Sequence, residues 1–159
     1  MALRNVLTVD NENDSLRKRS REVEKIDDKI LTLINDMKET LYEKNGVGLA
    51  APQIGILKRV IVIDIGEGPI VLINPVIVYQ KGDVVDVEGC LSVPGIWGTV
   101  KRPEEVIVRG LNPKGETVEI SGKGLLARAF CHEIDHLNGT IYTDKVIDYI
   151  DQSQIQQEG

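Results

Sequence analysis

The chain has 159 residues, of which 42% are hydrophobic and 28% charged, with 19 basic and 25 acidic side chains and a formal net charge of −6. That length predicts one domain over 1–159, and that apolar content excludes intrinsic disorder. The acidic balance argues against DNA or other broad nucleic-acid binding, and an aromatic content of 4% argues against base-stacking platforms.

In chain order, the first 26 residues are polar and charged. Within them Arg17, Lys18, Arg19 and Arg21 form a short basic cluster, read here as a solvated face. The spacing of Ile30, Ile34, Met37 and Leu41 predicts an amphipathic helix from Asp27 or Asp28 to Lys44, with Asn45-Gly46 as its left-handed stop. The Gly-, Ala- and Pro-rich stretch GVGLAAPQIG, 46–55, reads as a tight turn. Val60–Ile65 and Ile70–Tyr79 are β-branched runs that predict strands, the second with a bulge or edge at Pro75. Val84–Val87 alternates weakly, and Gly89–Gly95 reads as a loop. Val106–Val108 and Thr117–Ile120 predict a hairpin around Asn112-Pro113-Lys114-Gly115. Gly124–Asn138 predicts a helix apolar on most sides, hence buried. The Gln-rich tail, Asp151–Gly159, is expected to fray. These elements make an α+β protein without βαβ units. The longest apolar run is broken at Asn74-Pro75, so no membrane span is expected, and the N-terminal stretch is too short for a signal peptide. Cys90 and Cys131 read as a reduced pair, which together with the above predicts a cytoplasmic protein.

The chain has two histidines, and they stand in His132-Glu133-Ile134-Asp135-His136, an HExxH pattern. On a helix, residues four apart share a face, so both imidazoles can grip one metal ion while Glu133 reaches a nearby water. A catalytic site usually takes a third protein ligand. The third position of the HExxHxxGxxH pattern is Tyr142, and the one downstream Glu is Glu158 in the tail. Cys131 points about 100° away from His132 around a helix and reads as core. Cys90, flanked by Gly89, is either a small buried hydrophobe or a thiolate ligand; with two imidazoles it would form an open site suited to zinc or iron(II). Gly46–Ala51 matches G-x-G-x-x-A, but it follows a helix and meets Pro52, which is the wrong context for a dinucleotide. A Gln such as Gln53 beside a metal site can donate an amide N–H to a developing oxyanion.

Three segments, GVGLAAPQIG at 46–55, EGCLS at 88–92 and HEIDH at 132–136, together resemble the signature motifs of the peptide deformylase family in order and separation. The resemblance implies removal of the formyl group from the N-terminal formyl-methionine of nascent polypeptides, with release of formate. It implies Cys90, His132 and His136 as metal ligands and Glu133 as general base and acid. Gln53 and the backbone N–H of Leu91 would form the oxyanion hole. Val47, Leu125, Ala129 and the aliphatic stem of Arg128 would wall the methionine pocket, and Gly48 would offer backbone hydrogen bonds to the peptide. Iron(II) is implied as the native metal, with zinc, nickel or cobalt able to replace it. The implied partners are the N-formyl-methionyl nascent peptide and, near the exit tunnel, the ribosome; no DNA and no membrane. The family fold is antiparallel sheets packed around a central helix that carries HExxH. Two departures stand out: Cys131 occupies a position that is usually Gln, and a short polar tail replaces a longer terminal helix.

Overall fold

The structure is a computed structural model that describes residues 2–150, so the tail expected to fray lies outside the described residues. The first element, α1 (Val9–Leu16), has no counterpart in the predicted series. Its sequence is almost wholly polar, and local and tertiary contacts decide its shape: the Glu12 carboxylate accepts the Thr8 N–H at 2.8 Å, and Leu16 is fully buried. Helix α2 (Asp28–Glu43) forms as predicted. The Asp27 side chain caps it by accepting the Ile30 N–H at 3.1 Å, and Ile30, Ile34, Met37 and Leu41 are buried. Its stop places Asn45 at φ 55°, and the Gly46 N–H returns to Leu41 O at 3.1 Å.

The strands are β1 (Gly48–Ala50), β2 (Val60–Ile63), β3 (Ile70–Lys81), β4 (Val84–Cys90), β5 (Val93–Arg102), β6 (Glu105–Leu111), β7 (Thr117–Lys123) and β8 (Val146–Ile150), with α3 (Leu125–Leu137) between the last two. A five-stranded sheet runs β1-β2-β3-β6-β7, and a three-stranded sheet runs β4-β5-β8. All pairings between these strands are antiparallel. The segment Gly89–Gly95, expected as a loop, is instead the tip of a hairpin. β4 continues to Cys90 and β5 starts at Val93, with Cys90 opposite Val93. Of the residues that read as loop punctuation, Gly89 lies at a register shift between Glu88 and Cys90, whereas Pro94 and Gly95 stand within β5.

Residue alternation in β2 divides the core. Val60 and Val62 pack with α2, while Ile61 and Ile63 pack with Ala127, Phe130, Ile134 and Leu137 of α3. The larger sheet is thus covered on both faces, which explains the unbroken apolar run of β2. A third cluster, of Leu16, Val93, Val100, Ile141 and Tyr142, joins the smaller sheet to the N-terminal segment. No helix among the described residues is long and apolar enough to cross a membrane.

The irregularity expected at Pro75 is a register shift between Ile73 and Val76. Asn74 makes it possible, standing at φ 55° while its side chain accepts the Val23 N–H at 2.8 Å and donates to Val23 O at 2.9 Å. Asn74→Ala loses both bonds and places a Cβ-bearing residue without local compensation in a left-handed conformation. Its unfolding free energy is expected to fall by about 2–3 kcal/mol, read as a lower urea midpoint at unchanged m-value. Asn74→Gly recovers only the backbone share.

Candidate metal centre

Two separate bodies deliver the candidate ligands. β4 ends on Cys90, and α3 carries His132 and His136 one turn apart. The ligand atoms of these three residues lie within 4.8 Å of one another. Cys90 Sγ is 3.2 Å from His136 Nε2. The His132 ring meets that of His136 edge to face, with centroids 5.1 Å apart. The register shift at Glu88/Cys90 turns the end of β4 at this point. Gly89 has no room for a side chain, because a Cβ there would stand 2.4 Å from the Trp97 ring.

The other sulfur and the tyrosine at the alternative ligand position go elsewhere. Cys131 is buried in the core between α3 and the larger sheet, where burial pushes its thiol pKa up. Tyr142 stacks on the His132 ring at 5.8 Å between centroids and donates its hydroxyl to Ile96 O at 2.6 Å. It packs against a candidate ligand and is not among the clustered donor residues.

The residues present fit a divalent transition metal. One thiol sulfur and two imidazoles are a mixed donor set that leaves a coordination position open. One buried polar atom beside it, Glu133 Oε1, has no hydrogen-bond partner among the described residues, and neither has His136 Nδ1, the ring nitrogen opposite the Nε2 that faces Cys90. Such orphans are costly unless a polar group or ion shares the space. Burial pushes the Glu133 carboxyl up to about 7. Burial also opposes charge on both histidines. For His132 the neighbouring Glu133, Cys90 and Glu88 outweigh it and hold the pKa well above the ordinary value, whereas His136, with His132 beside it, falls well below.

Behind the ligands lies a buried charge cluster centred on Glu88. Its Oε1 faces His132 Nδ1 at 2.8 Å, which leaves Nε2 of that ring for the site. Arg102 forks onto the same carboxylate at 2.9 and 3.0 Å, and Arg128 Nη1 donates to Oε2 at 2.7 Å. Arg102 also reaches Asp135 at 2.6 Å, and Lys145 meets the same Asp135 oxygen at 3.0 Å. Burial opposes ionisation of Glu88, but His132 and Arg102 overcome it and hold its pKa far below the usual carboxylate range. Glu88 sits in the EGCLS segment two residues before Cys90, and a carboxylate so near a ligand could have been suspected. Nothing in the sequence marks Arg102, and Tyr142 is marked only as a pattern position, because the contacts of Arg102 with Glu88 and of Tyr142 with Ile96 join distant parts of the chain.

A cleft of about 910 Å³ opens onto this centre. Cys90, Leu91, His132 and Glu133 line it together with Val47, Gly48, Leu125, Arg128 and Ala129. Gln53 and His136 lie behind this lining. Gln53 is 1% exposed. Its Oε1 accepts the Ala50 N–H at 2.9 Å, so its amide N–H₂ points toward Ser92 Oγ at 3.1 Å and Cys90 Sγ at 3.5 Å. The guanidinium of Arg128 turns away from the cleft to Glu88, Val100 O and Val84 O, leaving its methylenes to the wall. Gly48, read from sequence as part of a turn, is instead the start of β1, where β1 approaches the catalytic-type carboxylate. A Cβ on it would lie 2.6 Å from Glu133 Oε2.

The family model described as Polypeptide deformylase matches residues 3–152. A peptide deformylase of Alkaliphilus metalliredigens is 63% identical over 147 residues, covering 92% of this chain and 99% of that protein. One of Caldicellulosiruptor bescii is 54% identical over 157 residues, covering 99% of this chain and 93% of that protein. The crystal structure of a peptide deformylase from Legionella pneumophila superposes with a TM-score of 0.87 at 44% identity, covering 99% of this chain and 92% of that one.

Gly48→Ala must displace Glu133 without touching a ligand atom. Hydrolytic turnover is expected to fall about 100-fold, while cobalt(II) affinity measured by chelator competition stays within about threefold, well short of the loss that follows damage to a ligand's support. An equal loss of both would show that the glycine supports the ligands themselves.

Proposed function

The chain belongs to the polypeptide deformylase family, enzymes that remove the N-formyl group, and from that premise we propose how its own residues carry the reaction. The observation that supports the reading most is the convergence of Cys90, His132 and His136, with Cys90, His132 and the neighbouring Glu133 lining one cleft. We assign the first three as metal ligands, with α3 as the central helix around which the sheets of one catalytic domain pack. Iron(II) is the proposed resident ion, and zinc, nickel and cobalt suit the same thiolate and imidazole donors. When bound, such an ion supplies Lewis acidity to the attacking water and to the formyl carbonyl.

Glu133 accepts the proton of the attacking water and returns it to the leaving amine, so formate and a free N-terminus are the products. Its buried, unpartnered Oε1 supports that role. Gln53 donates from its amide nitrogen to the oxygen on which charge develops, and the backbone N–H of Leu91 is the second donor. The bond from the Ala50 N–H fixes the Gln53 amide in the orientation this requires. Val47, Leu125, Ala129 and the methylenes of Arg128 hold the methionine side chain. The extended peptide lies along the cleft, where Gly48 can pair with it; among the described residues β1 is an edge strand with no second neighbour in its sheet. The substrate is the N-formyl-methionyl nascent peptide, met in the cytoplasm near the ribosomal exit tunnel.

Under anaerobic conditions the purified protein is expected to release formate from formyl-Met-Ala-Ser and to leave an internal peptide uncut. Glu133→Ala should lower that rate about 10²–10⁴-fold and still bind metal. Chelation should abolish activity, and added nickel or cobalt should restore it. Internal cleavage would identify a general peptidase, and formate release that survives full metal removal would contradict the mechanism.

A further inference from the structure

The candidate ligands come from two elements far apart in the chain. Cys90 ends β4 of the smaller sheet, whereas His132 and His136 ride on α3. Something must fix the distance from that strand to that helix, because a sulfur and two ring nitrogens can share an ion only within narrow limits. Arg128 spans the gap. It lies one turn before His132 on the same helix face and is 8% exposed. Its guanidinium donates to three acceptors of the smaller sheet. Nη1 reaches Glu88 Oε2 at 2.7 Å and Val100 O at 2.8 Å, and Nη2 reaches Val84 O at 2.8 Å. Val84 opens β4 and Cys90 closes it, so Arg128 grips the strand that delivers the sulfur. Through Glu88 it also reaches the carboxylate whose other oxygen orients His132.

We infer that Arg128 is a positioning residue that sets the spacing between the Cys90 thiol and the two imidazoles, in addition to offering its methylenes to the cleft wall. The inference rests on the assignment of Cys90, His132 and His136 as ligands. The planar fork explains why arginine serves here. One guanidinium satisfies a carboxylate and two backbone carbonyls at once, whereas a lysine ammonium of similar reach lacks that fixed fan of donors. Removing it does not strand the carboxylate, since Arg102 still forks onto Glu88 and His132 still faces it. Arg128→Met therefore has a fold to occupy.

The test loads wild-type protein, Arg128→Met and Arg128→Lys with cobalt(II). Affinity is read by chelator competition, and the sulfur-to-cobalt charge-transfer band and the d–d bands report the ligand set. Arg128→Met is expected to bind cobalt about 10–100-fold more weakly and to lose charge-transfer intensity relative to the d–d bands. Arg128→Lys should fall between it and wild type. KM for formyl-Met-Ala-Ser should change less than kcat, since the methylene wall is retained. Wild-type affinity and spectrum in Arg128→Met overturn the inference, even if activity is lost. Should the methionine variant not fold, wild-type values in Arg128→Lys overturn it equally. A wild-type protein that binds no cobalt overturns the ligand assignment, and this inference with it.

Discussion

Glu88 is a carboxylate held almost out of solvent, with His132, Arg102 and Arg128 all aimed at its two oxygens. A charge in that position is tolerable only because every oxygen is engaged and cations lie on both sides. A buried ion cluster of this kind is weak evidence for extra stability, because desolvation offsets most of the attraction. Its contribution here is orientation. Glu88 is two residues from Cys90 on the strand that brings the sulfur, and it touches His132 on the helix that brings the imidazoles. The same carboxylate therefore ties the two halves of the candidate centre to each other.

The fold supplies the rest by placing each half on rigid structure. Helix α3 is packed against the larger sheet by Phe130, Ile134 and Leu137, so its opposite side can carry polar residues without losing its seat. Arg59 adds a tie at the far end, donating to Leu137 O at 3.0 Å and to Asn138 Oδ1 at 2.9 Å. The N-terminal segment closes the other side. The Leu7 N–H bonds to Gln53 O at 2.7 Å and the Val9 N–H bonds to Ser92 O at 2.9 Å. Gln53 and the hairpin tip are thus braced by a segment whose Val6 and Thr8 also line the cleft.

Much of this was legible in the chain, and what was legible has a common cause. The α2 stripe, the β2 run and the HExxH spacing are local periodicities, and a local pattern survives without knowledge of the partner it will face. The resemblance of the three motifs to a known family likewise rests on contiguous residues. What stayed hidden depends on distant partners. Helix α1 has almost no apolar face and is fixed by Leu16 meeting Val93 and Tyr142. β8 is half polar and pairs with β5 from the far end of the sequence. At the hairpin tip Gly89 is required because the Trp97 ring fills the space of a side chain, and with Pro94 and Gly95 of β5 it imitates a loop. Gly48 offered no hint that its lack of a side chain makes room for Glu133. Arg102 carries no local signal, and the family resemblance implies only a pocket-wall stem for Arg128; the topology brings Glu88 to both guanidinium groups.

X-ray absorption at the metal edge of zinc-loaded protein probes the ligand set without relying on turnover. The account predicts one sulfur at about 2.3 Å and two imidazole nitrogens at about 2.0–2.1 Å, with the remaining position filled by a light atom. A shell without sulfur, or with a single imidazole, would contradict it.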